Sequence, residues 1–245
     1  MIKKWSIKHA SVLISIILLT QVNTALAKAS YSGFLDINFY PYLTDVVNDN
    51  VLTINVGIKL SDRLSYFSLN NFGNKNSSSE LEALNTYYTE QNLRWKIAKD
   101  SPFDLTLQSN FRTGKNNDRH RLGMRWRLNN SPALTGFFER LHLKYSINLH
   151  AIQIDSDSAR VWQMEHVFQL KLPSISKNLY LSGFIDHTIN EDLPSSIPTN
   201  PIVAEVQLGY QVIEHFYLIT EYRLNQYRRS DVNNIGIGMQ YKISF

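Results

Sequence analysis

The most regular pattern in the chain is an alternation of apolar and polar residues with a period of two. In the last segment Ile235, Ile237, Met239, Tyr241, Ile243 and Phe245 alternate with Asn234, Gly236, Gly238, Gln240, Lys242 and Ser244. Successive side chains of a β-strand point to opposite faces, so this pattern predicts a strand with one apolar and one polar face. No window after Ser30 shows a sustained helical periodicity, and the sequence therefore predicts an all-β fold.

Twelve segments carry this alternation and predict twelve strands. They lie near residues 31–41, 50–60, 63–73, 85–98, 103–113, 118–129, 141–155, 159–172, 178–189, 202–213, 215–226 and 232–245. The segments at 31–41, 63–73 and 178–189 are the least regular, because aromatic residues occupy both of their candidate faces.

The connections between these segments alternate in length. Those after odd-numbered segments, at 42–49, 74–84, 114–117, 156–158, 190–201 and 227–231, are rich in Asn, Asp, Ser and Pro. Those after even-numbered segments are short turns, except 130–140, which predicts a short helix or a hairpin extension at the periplasmic rim. An even strand number with short turns at one end is typical of outer-membrane barrels. The predicted fold is a closed antiparallel transmembrane β-barrel of about twelve strands.

The N-terminus has the three parts of a secretory signal. Basic residues Lys3, Lys4 and Lys8 precede an apolar run from Ala10 to Leu19, and Ala25-Leu26-Ala27 has the small-x-small pattern of a cleavage site. The apolar run of about ten residues is shorter than a membrane-spanning helix requires. The sequence therefore predicts a signal peptide at 1–27 and a barrel domain at 28–245.

The chain ends in Tyr241-Lys242-Ile243-Ser244-Phe245. This resembles the C-terminal signal of bacterial outer-membrane proteins, which has a terminal Phe after alternating apolar residues. The resemblance implies a bacterial outer-membrane location and recognition of strand 235–245 by the barrel-assembly machinery. The apolar faces, with five or six positions each, suit strands that contact outer-membrane lipid. The alternative is a soluble periplasmic β protein, in which the apolar faces form the core and the polar faces meet water.

Composition narrows the function. The chain has no cysteine, which excludes disulfides, thiolate metal sites and cysteine nucleophiles. The formal net charge is +4, and removal of Lys3, Lys4 and Lys8 leaves 22 − 21 = +1, so nucleic acid is not a predicted partner. The sequence contains no nucleotide fingerprint and no metal-binding spacing, and we predict no cofactor and no metal.

If the apolar faces meet lipid, the opposite faces line the lumen and carry the charges. We predict a basic wall and an acidic wall, which together form the candidate pore lining: Arg94, Arg112, Arg121, Arg125, Arg127 and Lys144 on the first, and Glu165, Asp186, Glu205 and Glu221 on the second. Such a pair of walls orients polar solutes in a narrow pore. Arg121, Arg125 and Arg127 repel one another unless an anion, an acidic partner or water compensates them, which favours an anionic solute. The alternative is that these charges pair across neighbouring strands and brace a sealed barrel.

An outer-membrane hydrolase acting on lipid is a further alternative. The outer-membrane phospholipase family has twelve strands and a His-x-Ser pair on one of them. None of the histidines beyond residue 27 begins such a triplet, and His166, on the predicted lipid face, has no serine in reach by sequence. We therefore predict no catalytic residue.

The stretch from Leu179 to His187 reads LYLSGFIDH. It resembles a Gly-Phe-x-Asp strand of the Tsx-like nucleoside channels, which are narrow channels of about twelve strands. The resemblance implies passive diffusion of small polar solutes, anionic or nucleoside-like, and no binding residue is carried over from it. The sequence-based hypothesis is a charge-selective channel. A lipid-acting hydrolase and a sealed structural or adhesive barrel are the alternatives.

Overall fold

The structure, a computed structural model, describes residues 31–43, 50–74, 84–114, 117–154, 160–229 and 231–245. The predicted signal peptide and most of the loop at 74–84 lie outside these residues. Twelve β-strands are present in the described part of the chain. They are β1 (Ser32–Phe39), β2 (Asn50–Lys59), β3 (Leu64–Asn74), β4 (Leu84–Lys96), β5 (Phe103–Arg112), β6 (Arg119–Arg127), β7 (Leu143–Gln153), β8 (Trp162–Lys171), β9 (Leu179–Ile189), β10 (Ile202–Ile213), β11 (Phe216–Asn225) and β12 (Asn233–Ser244).

The strands form one closed antiparallel barrel in which each strand pairs with its neighbours in sequence and β12 closes onto β1. The closing seam runs from Phe34 opposite Ser244 to Phe39 opposite Met239. Closure satisfies the backbone groups of both terminal strands, as a membrane-embedded sheet requires. The predicted all-β barrel of twelve strands is confirmed, with each predicted segment containing one strand.

The single long connection after an even-numbered strand also forms as predicted. A 3₁₀ turn at Leu128–Asn130 leads into helix α1 (Thr135–Arg140), which lies at the periplasmic end between β6 and β7. Phe138 is buried there and stacks on Tyr145, with ring centroids 6.3 Å apart. No helix in the described part of the chain is long and apolar enough to cross a membrane.

The barrel is polar inside and apolar outside. Only five apolar side chains of the described residues are buried, Tyr40, Phe138, Val161, Pro201 and Ile219, whereas most of the other buried side chains are polar or charged. Leu105, Ile237 and Met239 are about half exposed on the exterior. This distribution excludes a water-soluble barrel with an apolar core, and it is the arrangement of an outer-membrane β-barrel.

Two features depart from simple alternation. On β3 the inward side chains include Phe67 and Leu69, while Ser68 and Asn70 point outward. On β7 a β-bulge opposite Gly123 places one extra residue between the pairs Leu122–Ile152 and Met124–Leu149. The bulge changes the parity of β7, so that Gln153 joins Asn148 and His150 on the inner face.

Candidate pore

The interior of the barrel contains a cavity of about 1180 Å³. All twelve strands contribute side chains to it, from Arg119 and Arg228 at the end with the longer loops to Asn129 and Lys144 at the periplasmic end. A second cavity of about 670 Å³ lies at the periplasmic end beside α1, and Arg127, Lys144 and Gln169 line both. The two cavities therefore share part of their lining at the periplasmic end of the barrel.

Glycines on the inner face allow aromatic side chains to lie against the wall. A Cβ on Gly57 would lie 2.2 Å from the ring of Phe34, and a Cβ on Gly209 would lie 2.2 Å from the ring of Tyr180. Both rings thus occupy the position of a missing side chain on the neighbouring strand. The hydroxyl of Tyr180 donates to Gln207 and lies 2.5 Å from Gln240 Oε1, which fixes the ring across β9, β10 and β12.

All ten predicted pore-lining residues line the central cavity. The six basic residues lie on β4 to β7 and the four acidic residues on β8 to β11. The geometry separates the ten residues into those that are neutralised by a partner and those that are not.

Arg125 and Arg127 share one carboxylate. Asp104, on the adjacent strand β5, lies 2.5 Å from Arg125 Nη2 and 3.1 Å from Arg127 Nη2. The Asp104 side chain is 2% exposed, and the guanidinium of Arg127 also donates to the carbonyl of Ser101. These two arginines therefore brace the wall near the periplasmic rim, as the alternative of a braced lumen predicts.

Arg121 has no carboxylate partner among the described residues. Its guanidinium donates to the amide oxygens of Gln153, at 3.2 Å, and Gln108, at 3.0 Å. Neutral carbonyls orient the guanidinium without forming an ion pair with it.

Arg94 and Arg112 are held by aromatic faces. The guanidinium of Arg94 lies 5.2 Å from the centre of the Phe67 ring, and that of Arg112 lies 5.3 Å from the centre of the Tyr88 ring. Neither forms an ion pair within the part of the chain that the structure describes. Arg94, Arg112 and Arg121 thus form a set of cations on the inner wall that make no ion pair with a described carboxylate, while Lys144 lies at the periplasmic rim, where the two cavities meet.

The acidic side is partly neutralised. Glu165 and Asp186 lie directly opposite each other on β8 and β9, and Asn148 donates to Glu165. Glu205 forms an ion pair with Arg223 at 3.4 Å, and Glu221 accepts a hydrogen bond of 2.7 Å from the hydroxyl of Tyr42. Glu165 and Asp186 therefore place two carboxyl groups side by side on the acidic wall.

Sequence reasoning missed several lumen residues. Glu90 on β4 is buried and accepts hydrogen bonds from Asn92 and Tyr88, so the basic wall contains a second acid besides Asp104. His150 is 1% exposed, and neither of its ring nitrogens has a hydrogen-bond partner among the described residues. Glu90 has the inward parity of β4, so the alternation already contained its position. The hydrogen-bond partners of Glu90 depend on tertiary packing.

The described loop residues add to the mouth opposite the periplasmic rim. Glu191, from the loop at 190–201, accepts a hydrogen bond of 2.5 Å from the hydroxyl of Tyr227 beyond β11, and both line the cavity. Burial and the bond to Glu191 raise the pKa of Tyr227, so this phenol stays protonated and keeps the two loops joined.

The outer surface carries two histidine contacts. His166 lies on the lipid face as predicted, and its Nδ1 is 2.7 Å from the hydroxyl of Tyr145. Ser109 and His120 are opposite each other on β5 and β6, with Oγ and Nδ1 3.0 Å apart. This second pair could not be predicted from the sequence, because the two residues are eleven positions apart and meet only through the strand register.

Comparison with known proteins gives likenesses in structure alone. No protein-family model matches the chain, and no curated protein matches it in sequence. Solved structures with a similar chain path include the KdgM porin, with 12% identity over 86% of this chain and 98% of that chain and a TM-score of 0.46. The NanC porin has 10% identity over 86% of this chain and 100% of that chain, with a TM-score of 0.47. The outer membrane phospholipase A from Escherichia coli has 12% identity over 86% of this chain and 89% of that chain, with a TM-score of 0.44.

Proposed function

We propose that this chain is an outer-membrane channel through which small polar solutes diffuse passively, with selection by charge. The observation that carries the proposal is the central cavity, which is lined by polar and charged side chains of all twelve strands and adjoins the periplasmic cavity. Selection then depends on the width and charge of the lumen and requires neither covalent chemistry nor energy input.

The charge pattern supports anionic solutes as the preferred class. Arg94, Arg112 and Arg121 keep their positive charge toward the lumen without a carboxylate partner among the described residues. A carboxylate or phosphate group supplies the paired acceptors that a guanidinium binds best. The adjacent acids Glu165 and Asp186 repel the same group, so a dipolar solute is oriented between the two sides. Nucleoside-like solutes are the second class, with the inward ring of Tyr180 as a stacking surface.

Planar-bilayer recording tests the proposal. The mature protein, folded and inserted into a planar lipid bilayer, should give discrete conductance steps, and a salt gradient should give a reversal potential of anion preference. Neutralising Arg94, Arg112 and Arg121 to Gln should move the reversal potential several millivolts or more toward cation preference. Lys177→Gln, at an exposed turn position that lines neither cavity, is the matched control. Silence of correctly folded protein contradicts the channel, and an unchanged reversal potential removes these arginines from the pore.

A hydrolase acting on membrane lipid is the second candidate, favoured by the lipid-facing pair Ser109 and His120. In that function the hydroxyl of Ser109 attacks an ester carbonyl, His120 accepts its proton and passes it to the leaving alcohol, and water releases the acyl group. The measurement is fatty-acid release from phospholipid vesicles by the folded protein. This candidate is supported if Ser109→Ala and His120→Ala each abolish fatty-acid release while His166→Ala retains it. Absence of fatty-acid release by the wild type contradicts the candidate.

A further inference from the structure

The outer face of β3 and β4 carries a group of polar side chains in the middle of the barrel wall. Tyr66, Ser68 and Asn70 on β3 and Thr89 and Gln91 on β4 all point away from the lumen, and we call them the β3–β4 polar patch. Within the described strands Asn70 and Gln91 are the only outward carboxamides between the strand ends. On the other strands the outward positions are mainly Leu, Ile, Val, Met and aromatic residues.

The patch lies at the depth of the hydrocarbon. On β4 the outward residues Tyr87 and Trp95, both of them exposed, mark the two aromatic borders of the wall, and Gln91 lies four residues from each. At about 3.3 Å per residue and a tilt of roughly 40°, Gln91 is about 10 Å below one border and about 10 Å above the other. Asn70 is opposite Thr89, which lies two residues from Gln91 on the side of Tyr87. The patch therefore lies between the two aromatic borders and is not part of an interfacial girdle.

The five side chains form a connected hydrogen-bond network. Thr89 donates to Asn70 Oδ1 at 2.7 Å, Gln91 donates to Thr89, and Tyr66 donates to Gln91 Oε1. The amide of Asn70 donates to Ser68 Oγ at 3.2 Å and to the carbonyl of Ile54 at 3.0 Å. This uses both amide hydrogens of Asn70, whereas the second amide hydrogen of Gln91 has no acceptor in the described part of the chain.

Lipid does not satisfy such groups. An unpaired amide hydrogen in hydrocarbon costs several kcal/mol, and an Asn or Gln on a membrane surface is stabilised when another protein surface supplies hydrogen-bond partners. On the same strand the apolar residues Phe67 and Leu69 face the lumen. Between Phe67 and Asn70, β3 therefore places polar residues outward and apolar residues inward, opposite to the pattern of most of the barrel, which indicates that this part of the wall meets protein rather than lipid.

We propose that the β3–β4 polar patch is the contact between two copies of this chain in the membrane. Carboxamides carry both donors and acceptors, so the patch is complementary to itself across a two-fold axis. The face from β2 to β5 is about 20 Å wide and, from Leu64 to Phe72, about 27 Å long, or roughly 550 Å² for each copy. Two such faces bury about 1,100 Å², slightly above the roughly 1,000 Å² that a biological interface requires. Apolar residues around the patch, such as Leu93 and Leu107, complete the contact.

The absence of cysteine from the chain makes cross-linking a direct test. Thr89→Cys places a single thiol in the patch, and Thr220→Cys places one at an outward threonine of β11, which does not adjoin β3 or β4 in the barrel. Both proteins are folded, placed in phosphatidylcholine vesicles at high lipid-to-protein ratio and treated with a short bismaleimide. We expect covalent dimer to form several-fold more from Thr89→Cys than from Thr220→Cys. Equal yields contradict the proposal.

Subunit counting tests the same contact without a thiol in the patch. The protein, labelled at its N-terminus, is counted by single-molecule photobleaching in the same vesicles over a range of dilution. The wild type should show two bleaching steps, and Asn70→Leu with Gln91→Leu should shift the dimer to monomer with a dissociation constant roughly tenfold higher for each carboxamide removed. Thr220→Leu should leave the dimer unchanged. A wild type that is monomeric at every dilution, or a double variant that dimerises as the wild type does, overturns the proposal.

Discussion

At the scale of single residues, the lumen is governed by which charges find a partner. Arg125 and Arg127 share Asp104, whereas Arg121 is held by the neutral amides of Gln108 and Gln153. Three guanidinium groups on the inner face of the same strand, β6, thus have different electrostatic roles. The first two brace the wall, and the third keeps its charge toward the cavity.

Asp104→Asn tests the bracing role. Removing the shared carboxylate leaves two guanidinium groups, 17% and 15% exposed, without their partner. We expect the free energy of unfolding to fall by roughly 3 kcal/mol and the pore to become more anion-selective, since one negative charge is lost. Urea unfolding in lipid vesicles and reversal potentials measure the two effects. Asp100→Asn, at an exposed turn residue, is the control, and an equal loss of stability in both variants contradicts a brace at Asp104.

At the scale of elements, a single irregularity on β7 determines the geometry of the basic wall. The bulge opposite Gly123 turns Ala151 and Ile152 outward and Gln153 inward, which brings the Gln153 amide to Arg121. Gly123 permits the bulge because the backbone of β7 passes where a side chain would be: a Cβ there would lie 2.1 Å from the carbonyl oxygen of Leu149.

Two substitutions of glycine by alanine separate the effect of this close backbone approach on stability from the general effect of replacing a glycine. Gly123→Ala should reduce the free energy of unfolding by about 2 kcal/mol or more, because the backbone of β7 must move away from the new methyl group. Gly136→Ala, in α1, meets no atom within 4 Å and should stabilise the fold by up to about 1 kcal/mol. Urea unfolding of both variants under the same conditions is the measurement. Similar changes in the two variants would contradict the role of the bulge.

At the scale of the whole molecule, the C-terminal strand closes the barrel. The backbone of Phe245 exchanges hydrogen bonds of 2.7 and 3.0 Å with Gly33, and its ring covers the space where a Cβ of Gly33 would lie, although it is half exposed. Phe245 therefore closes the seam at the periplasmic end, and its exposed ring is available to the proposed assembly machinery.

Phe245→Ala separates recognition from stability. Recognition of strand 235–245 by the barrel-assembly machinery predicts a several-fold loss of folded protein in the outer membrane of cells, with little change in refolding into detergent micelles. Phe137→Ala removes another exposed phenylalanine ring and is the control. Equal losses in cells and in micelles would assign Phe245 a structural role alone.

The alternation of residues by itself determined the number of strands, their order and the side that faces lipid. It did so because the direction of a side chain on a strand depends only on its position along that strand. For the same reason the parity of the sequence placed all ten charged residues of the predicted pore lining toward the lumen.

Only the tertiary structure decided which of these charges are neutralised and where the barrel wall is exceptional. Asp104 neutralises Arg125 and Arg127 through the register of β5 against β6, and Gln153 reaches Arg121 through a bulge. The pair Ser109 and His120 and the network of Asn70 and Gln91 likewise join residues of different strands. Such contacts depend on the relative shift of neighbouring strands, which a period of two leaves undetermined, since a shift by two residues preserves every inward and outward position.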